Sequence, residues 1–547
     1  MIYLDCNASF GMHGPTDARV PFRKTQLLDD MEHTGIHGAL VWHWLSREYD
    51  PMYGNKILMQ EVADNPRLIP VWVVLPHWAD EFPEGEELAD LLRSNGVKAV
   101  KMFPKRQNYA FNELVCGRLF DVLEDLQMPL LLDCGNNGDH LQVTFDELDT
   151  FCHNHPGIPV IIQNARWERP RDFIALMDTH PNTYIEFSNY QIHYGPEYMA
   201  EKVGADRIML GTEWPFKSPG AARSFVDYCE LSSKDKAAFA GGNLARVLKL
   251  DQLPKEYPAK DQGLILRKAK AGQPIDHIPV IDPHTHVLHD GLMGSGYIPI
   301  PHGDAEHMIR RNKRIGIDRF ACSSWIGIWI DYAKGNELIK DLCDRYPNDI
   351  IGYANIDPNK TDDYDADITL CHDTYGFRGL KPYNPRVGVP YNDPRYDPWY
   401  KKGNEVGGFV KLHQTAIGDN FLNEIADISE RYPNMNYLLA HSGWTWEVAR
   451  SRVKLAKERA NIYLDLTFTS VLNGVVEYFV EEGLADKVLF TSDAPMRDVI
   501  PQFGWVAYAK ISETDKEKIL GGNMLRLLKH AGLDVSWAAK QYPGHGI

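Results

Sequence analysis

Short apolar runs and longer amphipathic stretches alternate along the whole chain. In its second half the runs fall at 279–283, 318–324, 350–356, 377–382, 409–414, 436–441, 462–467 and 487–492, each bounded by turn-forming residues. Runs this short and this continuously apolar are those of parallel strands covered on both faces. The stretches between them, such as YAKGNELIKDLCDRY (332–346) and NFLNEIADISERY (420–432), carry apolar residues at helical spacing. Eight strand–helix units in about 250 residues predict a (β/α)8 barrel. The same count runs through the first half, from IYLD (2–5) to RIMLG (207–211). An open doubly wound sheet shares the alternation, but its glycine-rich first turn is missing here.

The two halves repeat one another. GGNLARVLKL (241–250) returns as GGNMLRLLKH (521–530), and HGALVWHW (37–44) matches IDRFACSSW (317–325). NGVKAVKMFP (95–104) lies over YGFRGLKPYN (375–384), so Lys101 faces Lys381, and DRIMLGTEWPF (206–216) lies over DKVLFTSDAPM (486–496). The chain therefore reads as an α/β protein of two tandem (β/α)8 TIM-like barrels, 1–250 and 278–547, with 251–277 as connector.

Five polar residues close the runs of the second copy. His284 and His286 end the first, His413 the fifth, His441 the sixth and Asp493 the eighth. These are carboxyl ends, where barrel enzymes build active sites. Residues two apart on a strand point the same way, so His284 and His286 can aim together into the barrel mouth. Imidazoles with a carboxylate suit a borderline divalent ion such as Zn²⁺, with a position left for water. A lone histidine at a strand end is commonly a hydrogen-bonded loop residue; five such residues on four strand ends of one barrel are harder to assign that way.

Composition changes the picture little. The 547 residues are 44% hydrophobic, enough for two large cores, and the formal net charge of −17 argues against a nucleic-acid or anionic-membrane partner. There is no apolar run of about 18 residues to span a membrane. The opening MIYLDCNASF lacks a basic-then-apolar leader, so a cytoplasmic location is expected. The eight cysteines are scattered and read as free thiols.

The segments DPHTH (282–286), GFRGLKPY (376–383), KLHQT (411–415), LLAHSGW (438–444) and FTSDAP (490–495) make the second copy resemble the amidohydrolase superfamily. Within it the resemblance is to the group that includes aminocarboxymuconate-semialdehyde decarboxylase, resorcylate decarboxylases and several lactonases. It covers about 278–530, and the first copy follows it in outline only. The resemblance implies His284, His286, His413 and Asp493 as ligands of one divalent ion, zinc by preference. It implies His441 as acid/base, with Asp493 passing a proton. Lys381, near the bridging lysine of dinuclear members, is read as a cation for substrate. Tyr383, Tyr391 and Trp444 are expected to wall the pocket, with Arg386 or Arg497 meeting an anionic group. A small cyclic or carboxylated substrate suits such walls. The main reading is hydrolysis through a metal-bound water, whose pKa the ion lowers to about 7. Decarboxylation is the alternative, and a non-catalytic binding or scaffold protein the second alternative.

The ligand columns of the first copy hold Asn7 and Ser9 for the paired histidines, Cys134 for His413, Asn164 for His441 and Glu213 for Asp493. Amide and hydroxyl oxygens are weak ligands for zinc-like ions, so a metal-free barrel is expected. The rival is a rebuilt site of His43, His77, Cys134 and Glu213. A decayed copy could act as the second half of an intramolecular pseudo-dimer. The connector and the C-terminal tail would then tie the barrels, and Arg166, Arg169 or Arg171 would approach the other barrel's mouth. Further homo-oligomerisation stays open.

Overall fold

In the computed structural model, which describes residues 1–14, 16–135, 141–252, 262–414 and 420–543, strands form where the apolar runs fall. The chain divides into two units, Met1–Gln262 and Gly263–Ile547. The first contains β1 (Leu4–Phe10), β2 (Gly38–His43), β3 (Leu68–Val73), β4 (Ala99–Lys101), β5 (Leu130–Asp133), β6 (Val160–Gln163), β7 (Thr183–Glu186) and β8 (Ile208–Met209). The second contains β9 (Ile281–Val287), β10 (Arg319–Ser324), β11 (Ile350–Ile356), β12 (Gly379–Pro382), β13 (Phe409–Leu412), β14 (Asn436–Leu439), β15 (Ile462–Asp465) and β16 (Val488–Leu489). Each strand pairs in parallel with the next, and helices lie between them. Each unit is a (β/α)8 barrel.

Closure comes from the residues just past the last strand. Cys6 donates its N–H to the Leu210 carbonyl at 2.9 Å, and His286 donates to the Ala494 carbonyl at 2.7 Å. The eighth run of the second copy, expected over 487–492, is strand only at Val488–Leu489. Asp493 has φ 60°, which takes the backbone out of the extended region and turns its side chain into the barrel.

Inward residues such as Leu40, Val71, Leu131 and Ile161 fill the first barrel, and Ile281, Ala321, Tyr353 and Leu438 the second. The helices bury one stripe each. In Tyr332–Arg345, Ile339 and Leu342 face the strands, and Asp331 caps the start by accepting from the Lys334 N–H. Gly335 lets that helix touch its predecessor, since a Cβ there would lie 2.4 Å from Gly327 Cα.

The helix Leu264–Lys270 belongs to the second unit. Its Ile265, Leu266 and Ala269 are buried, and the Ile265 N–H donates to Glu513 at 2.9 Å. Residues 253–261 of the expected connector and 544–547 of the tail lie outside the described residues. Arg169 pairs with Asp172, and Arg166 lies 3.9 Å from Glu168, both within the first unit. Among the described residues no helix is long and apolar enough to cross a membrane.

Candidate metal centre

β9 presents His284 and His286 to the barrel interior, where both are buried. The Nε2 atoms of His286 and His284 lie 3.1 and 3.4 Å from Oδ1 of Asp493. Among the described residues, these three form the group of acidic, histidine or cysteine side chains able to share an ion, their ligand atoms all within 4.8 Å of one another.

The opposite ring nitrogens explain the aim of the two imidazoles. His284 Nδ1 is 2.8 Å from Oδ2 of Asp465, and His286 Nδ1 is 2.9 Å from the Ser323 hydroxyl. A ring whose Nδ1 is occupied in this way offers Nε2 to an ion, the usual outer support of a metal-binding histidine. Asp465, at the end of β15, is fixed in turn by Lys411, by the Thr491 hydroxyl at 2.7 Å and by the Thr467 N–H at 3.2 Å.

His413 stands beside the group, its ring centroid 5.0 Å from that of His284 and 4.8 Å from that of His441. The Lys381 ammonium lies between, 3.1 Å from His284 Nε2 and 3.3 Å from His413 Nδ1. Burial, reinforced by Lys411, holds the Lys381 pKa well below the usual lysine range. His441 has φ 61°, and its Nδ1 lies 2.8 Å from the Thr467 carbonyl. A carbonyl only accepts, so Nδ1 carries the proton and Nε2 is the acceptor of the neutral ring. Burial pushes the His441 pKa down to about 4, which keeps the ring neutral. Burial works to raise the Asp493 pKa, but Arg497 and the two histidines outweigh it and hold the carboxyl well below its usual range.

A cavity of about 270 Å³ opens over these groups. Of the residues singled out in the sequence, His286, His413, His441, Asp493, Tyr383, Trp444 and Arg497 line it, while His284 and Lys381 stand behind them. Tyr391 has a different role: its hydroxyl donates to the His413 carbonyl at 2.9 Å and accepts from the His413 N–H at 3.1 Å. Arg386 is exposed and donates to the Trp329 carbonyl at 3.1 Å. Reasoning from sequence missed Asp465 and Ser323, and the walls Trp325, Trp329 and Phe468. Asp465 carried a signal, a carboxylate ending the apolar run IYLD; the others carried none.

The sequence model of the amidohydrolase family matches residues 37–250 and 281–529. The chain belongs to this amidohydrolase family. It is 22% identical over 249 residues to the γ-resorcylate decarboxylase of Rhizobium radiobacter, covering 36% of this chain and 76% of that protein. A solved 2,6-dihydroxybenzoate decarboxylase from Rhizobium shares 17% identity at a TM-score of 0.36, over 47% of this chain and 99% of the other. The 5-carboxyvanillate decarboxylase of Novosphingobium aromaticivorans, solved with manganese, shares 13% at 0.37, over 47% and 98%.

The amidohydrolase site of the first copy is altered in a consistent way. Asn164 and Glu213 repeat the left-handed backbone of His441 and Asp493, at φ 53° and 56°. Strand register corrects one correspondence. Val100 pairs with Leu130 as Leu380 pairs with Val410. With Lys101 over Lys381, Asp133 rather than Cys134 takes the place of His413, and its Oδ1 lies 3.0 Å from Lys101 Nζ. Two polar residues side by side at a strand end had hidden the one-residue slip.

Ser9 pairs with Trp42 across β1 and β2 as His286 pairs with Ser323 across β9 and β10. A small residue has thus replaced the histidine and an indole the serine. Trp42 packs on Trp44 and Phe103 with ring centroids 4.8 and 5.0 Å away, and Trp44 donates to the Ser9 hydroxyl at 3.0 Å. His43 instead caps the next helix, accepting from the Leu45 N–H at 3.1 Å, and His77 lies 3.0 Å from Glu84. Among the described residues, these two do not join Cys134 or Glu213 in a metal-sized group.

Proposed function

We propose that the second unit is a metal-dependent decarboxylase of a small, single-ring aromatic carboxylate, and that the first unit holds no ion. The observation that carries the metal centre is the convergence of His284 Nε2, His286 Nε2 and Asp493 Oδ1, each ring oriented from behind by its own partner. Decarboxylation is preferred to hydrolysis because the curated relative is a γ-resorcylate decarboxylase. His284, His286 and Asp493 would hold a divalent ion, with His413 beside them as a fourth donor. This mixed nitrogen and oxygen set suits zinc or manganese. When bound, the ion supplies Lewis acidity and a point of attachment for substrate oxygens.

The side chains do the rest. Decarboxylation breaks the bond between ring and carboxyl group; carbon dioxide leaves, and the electron pair stays on the ring carbon, which takes one proton. Asp493 is a poor source, because its Oδ1 faces the histidines and its other oxygen faces Arg497. His441 has Nδ1 committed to Thr467, so its bare Nε2 is the one nitrogen that can take up a proton from solvent and release it as carbon dioxide leaves. It is the proton carrier to the ring carbon. Tyr383, Trp444 and Phe468 wall the ring, while Lys381 stands behind the wall against His284 and His413. A cavity of about 270 Å³ lies just below the usual range for ligand pockets and suits a substrate no larger than one substituted ring.

In the first unit Asn7, Ser9 and Asn164 are weak donors, and the Trp42 indole takes up room beside them.

The test is a panel of hydroxylated benzoates beside a panel of lactones and amides, given to full-length protein loaded with Mn²⁺ or Zn²⁺. Carbon dioxide release from a benzoate, abolished by chelator, is expected. Turnover of a lactone or amide without carbon dioxide would return the site to hydrolysis.

A further inference from the structure

Arg497 is 4% exposed and lies four residues beyond Asp493, in the turn before the helix Val499–Ala507. Its Nη1 donates to Oδ2 of Asp493, and its Nε donates to the Thr469 hydroxyl. The guanidinium carbon lies 4.8 Å over the Phe468 ring. Phe468 and Thr469 follow β15, so the arginine ties the carboxylate after the eighth strand to the loop after the seventh. A planar guanidinium can serve two acceptors in one fixed orientation.

The first copy repeats this tie although it has lost the paired histidines. Lys217, also four residues past its carboxylate, lies 2.9 Å from Glu213. The same ammonium donates to the Ser188 carbonyl at 3.3 Å and to Asn189 Oδ1 at 2.9 Å, both in the loop after β7. A cation kept where the paired histidines are gone serves the carboxylate rather than a substrate.

We infer that Arg497 is a positioning residue that claims Oδ2 of Asp493 and leaves Oδ1 alone to face the ion. In the second barrel Oδ1 is the oxygen that both histidines approach. Without the arginine the carboxylate can rotate and present both oxygens, changing the coordination of the ion and the room left for substrate. The inference rests on the metal reading of the site and not on which reaction the site performs.

The test uses the full chain loaded with Mn²⁺, whose electron paramagnetic resonance lines report ligand geometry without any substrate. Arg497→Met is expected to keep the wild-type circular dichroism and to change the Mn²⁺ spectrum. It should lower kcat on the substrate found for the wild type by at least about 30-fold, with KM within about threefold. Arg497→Lys, which restores the first copy's solution, should recover the wild-type spectrum. Thr469→Val, which frees one edge of the guanidinium, should shift the spectrum part of the way and covers the case in which Arg497→Met does not fold. A wild-type spectrum in Arg497→Met, with KM raised and kcat unchanged, would make Arg497 a substrate-binding group and overturn the inference. A wild-type chain that takes up no Mn²⁺ would overturn both the inference and the metal reading. A chain that binds Mn²⁺ but releases no carbon dioxide overturns only the decarboxylase reading, and the spectra still decide the role of Arg497.

Discussion

His284 is a buried and His441 a half-buried imidazole of one site, and their second nitrogens divide their work. A carboxylate holds Nδ1 of His284 and turns Nε2 toward Asp493, whereas a backbone carbonyl holds Nδ1 of His441. His441→Ala is therefore expected to keep its metal and lose at least ~10²-fold in kcat, the low end for a general acid–base group. His284→Ala should lose the metal with all turnover and keep its far-UV circular dichroism, because the core is built from strand side chains. Metal analysis beside the kinetics separates the two; loss of metal in His441→Ala, with activity tracking occupancy, would make that residue a ligand. The histidines were legible in the sequence because each ends an apolar run. Of their partners, Ser323 was not, because only strand register brings it beside His286, and Asp465 ended an apolar run without any sign that it would meet His284. Tyr391 was legible as an aromatic near the site but not as the hydroxyl that grips His413.

At the scale of elements, β9 runs past its expected end at 283 to Val287, so that both histidines lie inside the strand, while β10 to β15 reach within two residues of both ends of their runs. The eighth does not, because Asp493 leaves the extended region and no pattern of apolar residues announces a left-handed backbone. Register decided what similarity between the copies could not, placing Asp133 at the position first given to Cys134. It also paired Ser9 with Trp42, a swap of sizes invisible when each column is read alone. This pairing carries a prediction. Asn7→His with Ser9→His should leave the chain at one equivalent of metal by elemental analysis, because overpacking a filled interior is unfavourable. Adding Trp42→Ser should raise the content toward two. A second equivalent in the double variant alone would mean that Trp42 is no barrier.

At the scale of the whole molecule, the duplication was legible in a near-constant offset, whereas the limits of the second unit were not. The helix Leu264–Lys270 reads as connector in sequence but buries Ile265 and Leu266 within the second unit. Burying two such side chains contributes roughly 3–6 kcal/mol. A fragment beginning at 272 should therefore melt about 5–15 °C below one beginning at 263; equal melting temperatures would make that helix a passive linker. The closure of the barrel has another consequence, one of timing. The pair His286 and Asp493 spans 207 residues of chain, joining the first strand of the unit to the turn after its last. At roughly 5–20 residues per second, synthesis takes about 10–40 s to travel from one to the other. During that interval the two histidines sit on a nascent sheet without their carboxylate. The proposed ligand set is among the last things a growing chain completes, so an ion held there would certify that translation has run through the final strand.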